Sequence, residues 1–162
     1  MHHLVRRSLL IISAFSSALA ACADKSARPE AAAAAPATPI ESTNFAPALA
    51  VDLAASTKAD SGMYYKDLTV GTGPEVAAGQ KLTMKYTGWL ADGTEFESST
   101  YPFRLGAHAV IEGWDLGVVG MKVGGRRQLI IPPALGYGAG GSGAIPPNAV
   151  LVFEVELVSA EP

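Results

Sequence analysis

The sequence predicts an α+β domain over residues 62–162, in which antiparallel strands wrap one short helix. Three observations predict it. All 17 glycines, all five tyrosines and both tryptophans of the 162-residue chain lie at or beyond Gly62, so turn formers and large core residues are confined there. Two stretches, Lys81–Leu90 and Val150–Val158, alternate apolar with polar residues at the period of a half-buried strand. Only Glu112–Val119, with Trp114, Leu116 and Val118, reads as helix. One helix among several strands gives the α+β class.

The elements follow in chain order. Met63–Val70 has β character and ends at the turn Gly71-Thr72-Gly73-Pro74. In Lys81–Leu90, Leu82, Met84 and Tyr86 share one face, opposite Lys81, Thr83, Lys85 and Thr87. Ala91-Asp92-Gly93-Thr94 supplies a hairpin turn, because Asp-Gly tolerates positive φ. Thr94–Ser98 and Phe103–Leu105 read as two short strand pieces, and Gln128–Ile131 as another. In the last strand Leu151, Phe153, Val155 and Leu157 alternate with Glu154 and Glu156.

Residues 1–61 are a different object. Arg6 and Arg7 precede Leu9 to Ala20, which are almost wholly apolar or small, and Ala21-Cys22 follows. These are the parts of a secretory signal over residues 1–21, too short to span a bilayer as a helix. Leu19-Ala20-Ala21-Cys22 resembles the lipobox of bacterial lipoproteins, which implies a thioether-linked diacylglycerol on Cys22. That resemblance implies a chain exported and anchored by lipid to a membrane facing the periplasm; Ala23 in place of Asp favours the outer membrane. Residues 22–61 carry Pro29, Pro36, Pro39 and Pro47 among alanines and read as a disordered tether, with room for a short helix near Pro47–Ala55.

Composition excludes several function classes. A net charge of −3 argues against a nucleic-acid partner, which needs a basic surface. The single Cys excludes an intrachain disulfide and any multi-cysteine metal site. His108, the domain's one histidine, has no ligand-spaced carboxylate or Cys and reads as a solvent-facing loop residue, so no metal is expected. Gly136 to Gly143 contains G-x-G-x-x-G twice, but prolines flank it at 132–133 and 146–147, so no helix starts there and no nucleotide cofactor is expected. The loop reads as a mobile one that presents Tyr137. No serine sits in a nucleophile elbow, and Arg126-Arg127 reads as a solvated strand edge.

The order of blocks is more specific than any block. Tyr86-Thr87-Gly88-x-Leu90-x-Asp92-Gly93-x-x-Phe96-x-Ser98-Ser99 is followed by Val110-Ile111-x-Gly113-Trp114. Tyr137-Gly138, Ile145-Pro146-Pro147-Asn148-Ala149 and Leu151-Val152-Phe153-x-Val155-Glu156-Leu157 come next. Over nearly all of residues 63–158 this resembles the FKBP-type peptidyl-prolyl cis-trans isomerases. The resemblance implies a half-barrel of five to six antiparallel strands around the helix, with an apolar pocket between them. It implies Trp114 as pocket floor, Tyr86, Phe96, Val110, Ile111 and Phe153 as walls, and Phe103 and Ile145 at the rim. The Ile111 N–H and the Tyr137 hydroxyl would bind substrate carbonyls. Glu97 stands where the family usually has Asp. Ser142 falls near where some members carry His, in a tip loop shorter than theirs, and Ser98–Leu105 is also shorter than in many members.

The implied partners are proline-containing polypeptides and macrolide inhibitors, acting on a monomer that assists the folding of exported proteins. A weakly catalytic periplasmic chaperone or peptide-binding lipoprotein using the same groove is the alternative.

Overall fold

The computed structural model describes residues 39–162. The expected signal over 1–21, the expected lipidation at Cys22 and the first part of the expected tether lie outside the described residues. Six strands, β1 (Thr57–Lys58), β2 (Tyr64–Thr69), β3 (Lys81–Leu90), β4 (Glu95–Arg104), β5 (Arg126–Ile131) and β6 (Leu151–Glu161), form one sheet in the order β1-β2-β5-β6-β3-β4. Every neighbouring pair is antiparallel. The helix α1 (Glu112–Gly117) packs on the inner face. This is the expected α+β class: an open sheet wrapping a helix.

Alternation puts Leu82, Met84 and Tyr86 of β3 and Leu151, Phe153, Val155 and Leu157 of β6 into one core with Trp114 and Val118. Two glycines let α1 lie close to the sheet. A Cβ on Gly113 would stand 2.6 Å from Ile131 Cγ2, and one on Gly117 2.8 Å from Leu129 Cδ2. Glycine weakens a helix interior by about 1 kcal/mol relative to Ala; here it removes a collision in return.

Four local expectations change. The two pieces at Thr94–Ser98 and Phe103–Leu105 are one ten-residue strand, β4, paired with β3 along its length. A bulge at Phe96, opposite the Gly88–Trp89 step, breaks the alternation that a sequence pattern relies on. The helix ends at Gly117, two residues earlier than the apolar spacing suggests. Residues 47–49 form only a 3₁₀ turn, closed by Ala50 in the left-handed region.

The fourth change concerns Arg127, which is buried rather than solvated. Its Nε and Nη2 donate to the Asp67 carboxylate at 2.6 and 3.1 Å, and its Nη1 donates to Gly117 O and Val119 O at 2.8 and 3.0 Å. It ties β2 and β5 to the last carbonyl of α1, one of those a helix leaves unpaired, and to Val119 O just beyond it. Arg126 behaves as expected, exposed and paired with Glu154.

Residues 39–56 are not an extended tether. Ile40 and Leu49 are buried, and Ile40 packs with Tyr64, Ile130 and Val150 on the outer face of the sheet, with Phe45, Val51 and Leu53 around them. Ala46 N–H donates to Ala91 O at 2.8 Å, and Gln128 Nε2 to Leu49 O at 2.8 Å. The Glu41 carboxylate takes hydrogen bonds from Lys58 and Tyr64, which hold its pKa down at about 2. The physical reason is the outer face itself: Ile130 and Val150 would otherwise meet water. The folded unit therefore includes residues 39–61, before the boundary at 62. Among the described residues no helix is long and apolar enough to cross a membrane.

Candidate active site

The inner face of the sheet and the N-terminal end of α1 enclose a cavity of about 230 Å³. That is small for a drug-sized ligand, whose pockets run to about 300–1,000 Å³. Trp114, in the first turn of α1, is 4% exposed and lies on the cavity's inner side. Tyr86 from β3 meets it edge-on, with ring centroids 4.8 Å apart and planes at 84°. Phe153 from β6 also meets it edge-on, at 5.5 Å. Val110 and Ile111, just before α1, form the wall facing these rings, and Tyr137 stands at the mouth.

The loop that carries Val110 is pinned to the helix by Asp115. Its carboxylate accepts the Gly106 N–H at 3.0 Å and the His108 N–H at 3.1 Å. His108 has φ of 52°, and its ring is 84% exposed with Nδ1 3.7 Å from Asp115. It points to solvent, as its sequence context suggests. The glycine loop after Tyr137 closes on itself: Ser142 and Ile145 exchange backbone hydrogen bonds at 2.9 and 2.8 Å, and Asn148 N–H donates to Gly138 O at 2.8 Å.

Of the residues expected at the site, Tyr86, Glu97, Val110, Ile111, Trp114, Tyr137 and Phe153 come together around the cavity. Phe96 stands behind it, half-buried, with its ring 5.5 Å from Phe153 and nearly perpendicular. Phe103 and Ile145 are not at the rim. Phe103 is 4% exposed and packs 5.8 Å from Trp114, because its place on β4 opposite Leu82 turns it into the core. Ile145 is 7% exposed and belongs to the same core, drawn in by its bonds to Ser142.

Tyr101 and Ala109 line the cavity without having been expected there. Tyr101 was findable: it lies four residues from Glu97 on one face of β4, a spacing hidden while β4 is read as two pieces.

The cavity's polar groups include those of Tyr86, Glu97, Tyr101 and Tyr137. Burial, and then hydrogen bonding to Glu97 and its charge, push the Tyr86 hydroxyl far above its ordinary pKa. Burial and the Glu97 charge raise Tyr137 as well. Both hydroxyls therefore remain protonated donors at neutral pH. The Trp114 indole Nε1 is buried without a hydrogen-bond partner. Among the described residues no three His, Cys, Asp or Glu side chains gather as a metal site.

Comparison with known proteins gives a consistent match. A family model described as FKBP-type peptidyl-prolyl cis-trans isomerase matches residues 73–158. An FK506-binding protein of Neisseria meningitidis serogroup B is 50% identical over 103 residues, covering 60% of this chain and 94% of that protein. FK506-binding protein 4 of Dictyostelium discoideum is 52% identical over 103 residues, 61% of this chain; the chain spans only 28% of that longer protein. Among solved structures, FkpA from Escherichia coli is similar with a TM-score of 0.62 at 36% identity, covering 67% of this chain and 52% of that one. A peptidyl-prolyl cis-trans isomerase from Pseudomonas syringae is similar with a TM-score of 0.61 at 36% identity, over 67% and 82% of the two chains. The matched family region begins at residue 73, so the outer-face segment 39–56 lies outside it.

Proposed function

The chain belongs to the FKBP-type peptidyl-prolyl cis-trans isomerase family, and we propose that its cavity catalyses rotation about X–Pro amides in exported polypeptides. The observation that carries this reading is a cavity of about 230 Å³ whose inner side is Trp114 and whose walls include the rings of Tyr86 and Phe153, with Glu97 and Tyr137 among its polar groups.

The reaction needs no nucleophile. An amide resists rotation by about 18–20 kcal/mol because its C–N bond has double-bond character. The X–Pro bond populates both isomers, which exchange in tens to hundreds of seconds unaided. In the twisted transition state that resonance is lost, and the carbonyl oxygen carries less negative charge than in the planar amide. The aromatic walls of the cavity therefore favour the twisted form over the planar one. Trp114, Tyr86 and Phe153 hold the prolyl ring while the preceding carbonyl turns. The Ile111 N–H and the Tyr137 hydroxyl hold substrate carbonyls, and only bonds that are stronger in the twisted state raise the rate. Lowering the barrier by about 4 kcal/mol would accelerate exchange roughly a thousandfold.

Glu97, with one methylene more than the Asp usual at its position, keeps a carboxylate beside the Tyr86 hydroxyl. A macrolide of the FK506 type would compete for the same cavity, in keeping with the names of the relatives. The lipobox-like Leu19-Ala20-Ala21-Cys22 supports a lipid anchor in a bacterial envelope, with the domain working as a monomer on the periplasmic side.

The test is a proline-peptide isomerisation assay on residues 39–162, with FK506 as competitor. We expect catalysed exchange that the macrolide abolishes. A folded protein that binds proline peptides but leaves exchange at the uncatalysed rate would overturn the enzymatic reading. Intact mass of the protein from a bacterial envelope tests acylation of Cys22.

A further inference from the structure

The cavity opens beside a sheet edge that is unpaired among the described residues. β4 is the last strand of the sheet, and Glu97 to Pro102 along it are exposed. Two hydrogen bonds tell which of its backbone groups face outward. Leu90 N–H donates to Thr94 O, and Tyr86 O accepts from Ser98 Oγ, so the even-numbered residues of β3 turn their peptide groups toward β4. Tyr86 lies opposite Ser99, and Met84 opposite Tyr101. Bonding direction alternates along an antiparallel strand, so Ser99 and Tyr101 bond to β3 while Ser98 and Thr100 turn N–H and C=O away from it. Pro102 obeys the same alternation. Opposite Thr83, its missing N–H falls on the outward side, where the ladder loses nothing.

The open stretch and the cavity belong to the same strand, since Glu97 and Tyr101 send their side chains into the cavity. Natural sheets blunt free edges with charge, proline or bulges. Here the bulge at Phe96 and the proline at 102 mark the two ends, and Ser98, Ser99 and Thr100 between them are short and polar.

We propose that the substrate polypeptide binds as an added strand. The segment flanking its proline pairs with the outward N–H and C=O groups of Ser98 and Thr100 while the prolyl ring fills the cavity. The inference rests on the prolyl-isomerase reading of that cavity. The occupant follows from steric chemistry: the residue before a proline is pushed into extended conformations, so the substrate arrives in the shape that the edge can pair. Main-chain pairing takes any side chain, which suits a site that must accept many proline contexts.

The experiment uses the full chain and two peptides sharing one X–Pro dipeptide, a tetrapeptide and one extended by several residues on both sides. Thr100→Pro removes one outward N–H and leaves the β3 ladder intact. The ratio of kcat/KM for the long peptide to that for the short one should fall about five- to tenfold, the weight of one lost hydrogen bond. An unchanged ratio in the folded variant overturns the proposal.

A second measurement leaves the protein untouched: peptides N-methylated at successive flanking positions are titrated by tryptophan fluorescence. Binding should weaken at alternate positions, and equal sensitivity or none at all overturns the added strand. A concentration-dependent dimer that Thr100→Pro abolishes would assign the edge to a second copy and overturn it too. Failure of the isomerase reading looks different, because both peptides would then bind without being turned over.

Discussion

Gly88→Ala is a one-methyl probe of the cavity wall. Gly88 lies in β3 between Glu97 of β4 and Phe153 of β6. A Cβ built there would stand 2.6 Å from Phe96 Cζ and 2.7 Å from Phe153 Cε1. Ordinary carbon contacts begin near 3.5 Å, so each ring must give way by about 0.8–0.9 Å. Phe153 has little room, with Trp114 edge-on at 5.5 Å and Tyr86 at 6.3 Å. Phe96 is half-buried and can swing outward.

Overpacking of this kind costs about 1–3 kcal/mol, and the stiffer unfolded chain of Ala returns about 0.4–1 kcal/mol. The net loss should be about 1–2 kcal/mol, read as a lower urea midpoint at unchanged slope. Because Phe153 is pushed toward the cavity, kcat/KM should fall several-fold at temperatures where the variant is fully folded. Adding Phe96→Leu should recover part of both losses, since the two sites share one contact. A Gly88→Ala protein with unchanged midpoint and unchanged activity would refute both the close approach and the cavity-wall role of Phe153.

Other outcomes follow from the same geometry. Phe153→Ala, at a side chain 3% exposed, should cost about 3–5 kcal/mol in urea unfolding and remove most activity, whereas Tyr137→Phe should lower kcat/KM by roughly tenfold or less, as one hydrogen bond is lost. With the Tyr86 and Tyr137 values raised above 10.0, their contribution to stability is complete below pH 10 and is lost only as pH rises through the folded-state values. The kcat/KM should therefore stay flat from about pH 6 to 9, and a fall within that window would contradict the protonated state of these two hydroxyls. Removing residues before Thr57 should destabilise the domain by about 2–4 kcal/mol in the same urea assay while leaving kcat/KM within about twofold, because the segment covers the outer face.

Where sequence reasoning worked, the signal was periodicity on one face. β3 is read with its bounds because its alternation is uninterrupted from Lys81 to Thr87 and the Asp92-Gly93 turn marks its end. β4 is broken by the Phe96 bulge and by exposure of almost every side chain, so nothing marks Ser99 to Tyr101 as strand. The same loss of phase hid Tyr101; Phe103, which the resemblance implies at the rim, lies in the core because β4 turns it inward. The outer-face segment had a signal that a one-sided sheet does not explain. Leu129-Ile130-Ile131 is three consecutive apolar residues, which only a strand buried on both faces can carry. What covers the second face could not be read, because residues 39–56 have the composition of a linker and act through a few contacts spaced along the chain. Gln128 shows this well, since its partner is a backbone carbonyl 79 residues away.

The residues that set the cavity's depth are largely not those that line it. Trp114 can serve as a floor only if α1 lies at one height above the sheet. That height is fixed from below by Gly113 and Gly117, where a methyl group would collide with Ile131 and Leu129. It is held at the far end by Arg127, whose guanidinium grips Gly117 O and Val119 O while Asp67 neutralises it. It is held at the near end by Asp115, which draws the loop bearing Val110 down onto the helix. A helix of six residues without a side-chain N-cap has little stability of its own, so these contacts determine where it sits. A site of this kind needs aromatic surfaces in fixed register more than it needs a reactive group. The position of that register therefore depends on two glycines and on a half-buried ion pair as much as on the aromatic residues that would touch the proline.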